Sequence, residues 1–220
     1  MTVAARFRYE RSRNIFLTII SWELILNKAK LVVLIDGQNF YGTAKSLGFD
    51  VDYKKLLAHF NSMGNLLRVK YYSTVDEDDE NSSIIPLIDW LDYNGFSVVT
   101  KAKKSFVDAE GRRRFKGSMD VEIAVDAMEL STHVDRVILC SGDGDLHPLI
   151  EALQRRGIRV TVISSIASQP QMCADEVRRQ ADEFVDLASL REKVGRPPVV
   201  RPASGSSDVP RYGTRSTSVA

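Results

Sequence analysis

The sequence predicts an α/β domain with a mainly parallel central sheet. Three observations carry that reading. Runs such as Leu31-Val32-Val33-Leu34-Ile35 are continuously apolar, as strands covered on both faces are. These runs alternate with segments of helical periodicity, and that alternation builds parallel strands through right-handed crossovers. Two of the strands run into short acidic motifs, Asp36-Gly37-Gln38-Asn39 and Ser141-Gly142-Asp143-Gly144-Asp145. An open parallel sheet places its ligand crevice at such carboxyl ends.

The elements follow in order. Residues 31–36 form the first strand. Asp52 caps a helix running to about Asn61, with Leu56, Leu57 and Phe60 on one face. Leu66–Thr74 is the second strand, and the acidic run 76–80 is a solvated loop. A helix opens at Asn81 or Ser82 and stops at Asn94-Gly95; Phe96–Thr100 is the third strand. Residues 101–118 read as an extended, hairpin-like arm around an Asp108-Ala109-Glu110-Gly111 turn. Met119–Leu130 is helical and Val134–Cys140 is the fourth strand. Asp145 opens a helix to Arg156, stopped by Gly157. Ile158–Ile163 is the fifth strand, Gln171–Gln180 is helical, and Phe184-Val185 is a short edge strand. The organisation expected is an N-terminal extension over 1–30, one domain over 31–194 and a disordered Pro/Ser/Arg-rich tail over 195–220.

Composition sets the bounds. The chain has 220 residues, 44% hydrophobic and 27% charged, enough for one ordinary globular core. The formal net charge of +1 excludes any argument for a nucleic-acid partner from overall charge and leaves only its distribution. Cys140 and Cys173 have no C-x-x-C or histidine partner, which argues against zinc and against a disulfide scaffold. A reducing cytoplasm is the natural location. The apolar run from Ile15 to Leu26 is broken by Glu23 and is too short to span a membrane, for which about 20 apolar residues are needed.

The chemistry sits in the aspartates. Neighbouring first and fourth strands bring Asp36, Asp143 and Asp145 together, and Asp120, opening a helix after Lys116-Gly117-Ser118, joins them. Crowded carboxylates do not all stay ionised without a cation. Hard oxygen donors suit Mg²⁺ or Mn²⁺. Each aspartate alone has a plain explanation as a cap or turn residue; four at one rim are better explained by one metal site. Asp126 lies six residues beyond Asp120, about 240° around a helix, so it supports the site or the packing and does not share the metal. His147 is dispensable as a base where a metal activates water. Lys101, Lys103, Lys104, Arg112, Arg113, Arg114 and Lys116 crowd the arm and end just before Asp120, which favours a phosphate-binding role over a solvated loop.

These motifs, with Phe40-Tyr41, Leu87-Ile88-Asp89-Trp90-Leu91 and Ala124-Val125-Asp126-Ala127-Met128, resemble the NYN domain family, in particular its LabA-like branch. The resemblance runs from about Leu31 to Val194. It implies a Rossmann-like, three-layer fold related to PIN domains and a Mg²⁺- or Mn²⁺-dependent ribonuclease. By motif, it places the acidic site at Asp36, Asp120, Asp143 and Asp145, with Asn39 orienting a ligand or the phosphate. Ser141 would hydrogen-bond the carboxylates or a metal-bound water. The implied products are a 5′-phosphate and a 3′-hydroxyl. RNA is the expected partner, and a homodimer is compatible with the reading. The rival from another class is a non-catalytic regulator binding RNA or protein through the same surface. A haloacid dehalogenase-type phosphotransferase is disfavoured, because Asp36 is not followed by the second aspartate of a D-x-D.

Overall fold

The structure, a computed structural model, describes residues 28–75, 84–107 and 113–197. Its main sheet has six strands: β1 (Lys30–Asp36), β2 (Asn65–Val75), β3 (Ser97–Ala102), β6 (Arg136–Cys140), β7 (Arg159–Ser164) and β8 (Glu183–Asp186). The numbers between belong to the arm, β4 (Lys104–Val107) and β5 (Arg113–Lys116). The sheet order is β3-β2-β1-β6-β7-β8, every neighbouring pair parallel. The chain winds outward from β1 through β2 to β3, then returns to the middle and winds the other way from β6. The switch point therefore lies between β1 and β6, where Ile35 is paired with Cys140.

Both faces of the sheet are covered, which is why β1 reads as unbroken apolar sequence. Leu31, Val33 and Ile35 pack on one side with α1 (Gly37–Ser46), α2 (Tyr53–Met63) and α3 (Ile85–Tyr93), through Phe40, Leu56, Phe60 and Leu91. Val32 and Leu34 pack on the other with α4 (Asp120–Leu130), α5 (His147–Arg155) and α6 (Asp175–Gln180), through Ile123, Ala127, Ile150, Leu153 and Val177. This is the expected three-layer, mixed α/β fold. No helix among the described residues is long and apolar enough to cross a membrane.

The arm is antiparallel, with β4 and β5 paired from Lys104↔Lys116 to Val107↔Arg113. Its turn, with Arg112, lies outside the described residues, as do the N-terminal extension, the acidic run 76–80, the helix start at Asn81 or Ser82, and the tail beyond Pro197.

Four elements differ from expectation. Helix α1 is not anticipated by the sequence: Gly37-Gln38-Asn39 looks like a turn, and the helix buries only Gly37, Phe40, Thr43 and Ala44. The expected helix from Gln171 begins only at Asp175, because Met172–Ala174 pack as loop against Gly142, with Ala174 N–H donating to the Gly142 carbonyl at 2.8 Å. The helix expected at Asp145 starts as a 3₁₀ turn (Gly144–Leu146) before α5 takes over. After β8 the chain adds an unexpected 3₁₀ turn (Leu187–Leu190) and α7 (Arg191–Val194).

Candidate metal centre

The site is built from three strand or helix ends. Asp36 closes β1 and caps α1, accepting from Asn39 N–H through Oδ1 at 3.2 Å. Its other oxygen, Oδ2, accepts from Ser141 Oγ at 3.1 Å, just beyond β6. Asn39 Oδ1 in turn accepts from Gly142 N–H at 3.0 Å. The two motifs at the switch point are thus stitched together by two bonds between distant parts of the chain. Ser141 Oγ also accepts from Asp143 N–H at 3.2 Å, and Asp143 Oδ1 from Asp145 N–H at 3.0 Å, so the second motif is fixed by its own side chains.

Asp120 enters from the first turn of α4. Carboxylate oxygens of Asp36, Asp120 and Asp143 all lie within 4.8 Å of one another. Asp36 is only 8% exposed. Burial pushes its carboxyl above the usual range; the Asn39 and Ser141 bonds pull back, and the charges of Asp120 and Asp143 add to the rise. Burial also raises Asp120, opposed by a hydrogen bond with Ser118 and reinforced by Asp143, Asp145 and Glu122. Two acids pushed toward their protonated forms by burial and by like charge are the signature of a site that gains from a cation. The donors are carboxylate oxygens without thiol or imidazole, a set that fits a hard divalent ion.

The remaining candidates take different places. Asp145 lies outside the three-carboxylate group and acts on it through its charge on Asp120. Asp126 points to the sheet: it accepts from Tyr72 Oη at 2.8 Å and pairs with Lys70, both of β2, and it is not one of the three converging carboxylates. Lys101 pairs with Glu122 of α4 at 2.8 Å. Lys103 anchors the start of the arm by donating its N–H to the Val75 carbonyl. Lys104, Arg113, Arg114 and Lys116 lie on the two arm strands.

Two features are not apparent from the sequence. Ser118, two residues before Asp120, bonds its carboxyl. The glycines of both motifs are demanded by space as well: a Cβ on Gly37 would lie 2.6 Å from Tyr71 Cζ, and one on Gly142 2.2 Å from the Met172 carbonyl oxygen. The recurrence of glycine beside each aspartate is the signal that could have found them.

Comparison with known proteins agrees with this architecture. The NYN domain family model matches residues 30–188. The chain is 30% identical to the low amplitude and bright protein LabA of Synechococcus elongatus over 189 residues, 80% of this chain and 97% of that protein. An uncharacterised protein of Methanocaldococcus jannaschii is 26% identical, over 74% of this chain and 61% of its own length. Among solved structures, a protein of unknown function from Vibrio parahaemolyticus superposes with a TM-score of 0.61 at 30% identity, covering 73% of this chain and 93% of that one. With the family model spanning both acidic motifs and the whole sheet, the chain belongs to the NYN domain family and is LabA-like.

Proposed function

We propose that the protein is a Mg²⁺- or Mn²⁺-dependent ribonuclease that hydrolyses RNA phosphodiester bonds. The observation that carries this reading is the convergence of Asp36, Asp120 and Asp143 within 4.8 Å at the sheet's switch point. These three would hold the ion, and Asp145 would serve on its flank. When bound, a divalent cation supplies charge stabilisation at the scissile phosphate and a water of lowered pKa. The protein's own contribution is preorganisation. Ser141 and the Asn39 N–H hold both oxygens of Asp36, and Asn39 clamps the loop carrying Asp143. The arm, with Lys103, Lys104, Arg112, Arg113, Arg114 and Lys116, and Lys101 near the end of β3, would steady the RNA backbone. The protein's two free cysteines suit a reducing cytoplasm, where it would act.

The test is metal-dependent cleavage of labelled RNA. Activity is expected to vanish in chelator and return with Mn²⁺ or Mg²⁺. Asp36→Asn and Asp143→Asn are expected to lose most of it while remaining folded. Cleavage that persists after exhaustive chelation, or at the wild-type rate in both folded variants, would overturn the mechanism. Inactivity of the wild type with every metal and across diverse RNAs would favour a non-catalytic regulator.

A further inference from the structure

On the α1–α3 face of the sheet lies a groove that the reaction as described does not use. It is three adjoining hollows of about 190, 300 and 1120 Å³. Tyr53 and Leu87 line the first two, Trp90 lines the last two, and Arg196 lines all three. One end is Tyr41 of α1, 54% exposed and one helical turn beyond Gly37, whose side of the helix it shares. Its wall is continuous with the floor of the metal centre: Tyr53 Oη lies 3.4 Å from Tyr71 Oη, and Tyr71 is packed against Gly37, the neighbour of Asp36.

The chemistry of the lining is specific. Trp90 is 38% exposed although it is one of the chain's largest apolar side chains. Arg196 is anchored by its backbone, donating N–H to the Asp50 carbonyl at 2.8 Å; its guanidinium makes no close salt bridge or side-chain hydrogen bond among the described residues, and its charge reaches the Asp50 carboxylate and the Tyr53 hydroxyl only through space. Of the acids that line the groove, Glu192 is exposed to solvent and the other two are engaged. Asp50 is paired with Lys45, and Asp52 caps α2 by accepting from the N–H groups of Lys54 and Lys55. Exposed aromatic rings sharing a groove with a guanidinium that makes no close salt bridge form a platform for stacked bases and a contact for the connecting phosphate. A duplex keeps its bases stacked on each other and offers such a platform nothing.

The geometry points to this groove as a binding track for single-stranded RNA leading away from the metal centre, with Tyr41 and Trp90 stacking bases and Arg196 engaging a phosphate. The inference rests on the ribonuclease reading and adds the substrate class and the strand's path.

The experiment uses the full chain in chelator, so that binding is read without turnover, and a labelled oligouridine of about 20 nucleotides, longer than typical single-strand site sizes. Wild type is expected to bind it more tightly than a duplex of equal length, with quenching of Trp90 fluorescence that Trp90→Phe assigns. Trp90→Ala is expected to weaken binding about tenfold through lost stacking. Arg196→Ala, at an exposed position, is expected to lower the slope of log affinity against log salt by about 0.7. Unaltered affinity and salt slope in the two variants, or a preference for duplex, overturns the groove while wild-type cleavage leaves the nuclease standing. A wild type that neither binds nor cleaves single-stranded RNA overturns both.

Discussion

Asp36 carries the most chemistry per atom in the molecule. It ends a strand whose five preceding residues are apolar and buried, so its charge is the costliest of the cluster to maintain. Its folded-state carboxyl is raised above the ordinary value of 3.8, chiefly by burial. The native state then holds its proton more tightly than the unfolded chain does. That contribution favours folding while the proton is on, and it is lost as pH rises from about the unfolded value through the raised one. In chelator, the stability advantage of Asp36→Asn over wild type is therefore expected to grow across that window and to reach a plateau above it. Added Mg²⁺ should shrink the advantage by stabilising only the wild type. Thermal midpoints of the two proteins across pH, with and without the ion, measure this; an advantage that is flat across pH would remove Asp36 from the electrostatic account. Ser141→Ala removes a positioning bond from the same carboxylate, and a loss of about 10–100-fold in metal affinity is expected by titration.

Helix α4 shows how one element serves both the site and the fold. Its first residue, Asp120, faces the carboxylate cluster, while Asp126, nearly two turns on, faces Tyr72 and Lys70 of β2. The helical angle between them is enough to separate the two roles from sequence alone. The identity of Asp126's partners is not legible there, because nothing local to α4 says which strand lies beneath it. Lys70 and Asp126 are 19% and 21% exposed in their side chains, so the pair is largely withdrawn from solvent. Asp126→Ala is expected to destabilise the protein by about 1–3 kcal/mol, leaving Lys70 and the Tyr72 hydroxyl without their acceptor. Urea unfolding should show a lower midpoint at unchanged slope. Cleavage per folded molecule should stay near wild type; a tenfold fall in kcat at unchanged stability would instead return Asp126 to the site. Helix α1 illustrates the opposite limit. Its polar first turn is stabilised by a cap from Asp36 and by the fit of Gly37 against Tyr71, neither of which a periodicity can register.

The molecule as a whole is readable wherever the core dictates the pattern. The central strands announce themselves by runs that only a doubly covered sheet can bury, and the carboxylates by their place at strand ends. What escapes, such as the loop of Met172–Ala174 packed against Gly142, depends on meetings between distant segments. The surroundings of the carboxylate cluster differ in character, with a basic arm leading into Asp120 and an aromatic groove that ends at Tyr41 of α1. Replacing Arg112, Arg113 and Arg114 with alanine is expected to weaken RNA binding and to flatten the salt dependence by about 0.7 for each phosphate no longer engaged. Affinities at several salt concentrations test this, and an unchanged slope would make the arm a solvated loop. The order of the chain adds a last consequence. Asp36 and Ser141, in direct contact, are 105 residues apart in sequence, and the strands that bring them together are parallel neighbours joined by everything in between. A chain emerging from the ribosome exposes its first carboxylate long before the second motif exists, and non-local pairing of this kind closes late. The carboxylate cluster is thereby absent from the nascent polypeptide, and whatever chemistry it performs arrives only with a finished sheet.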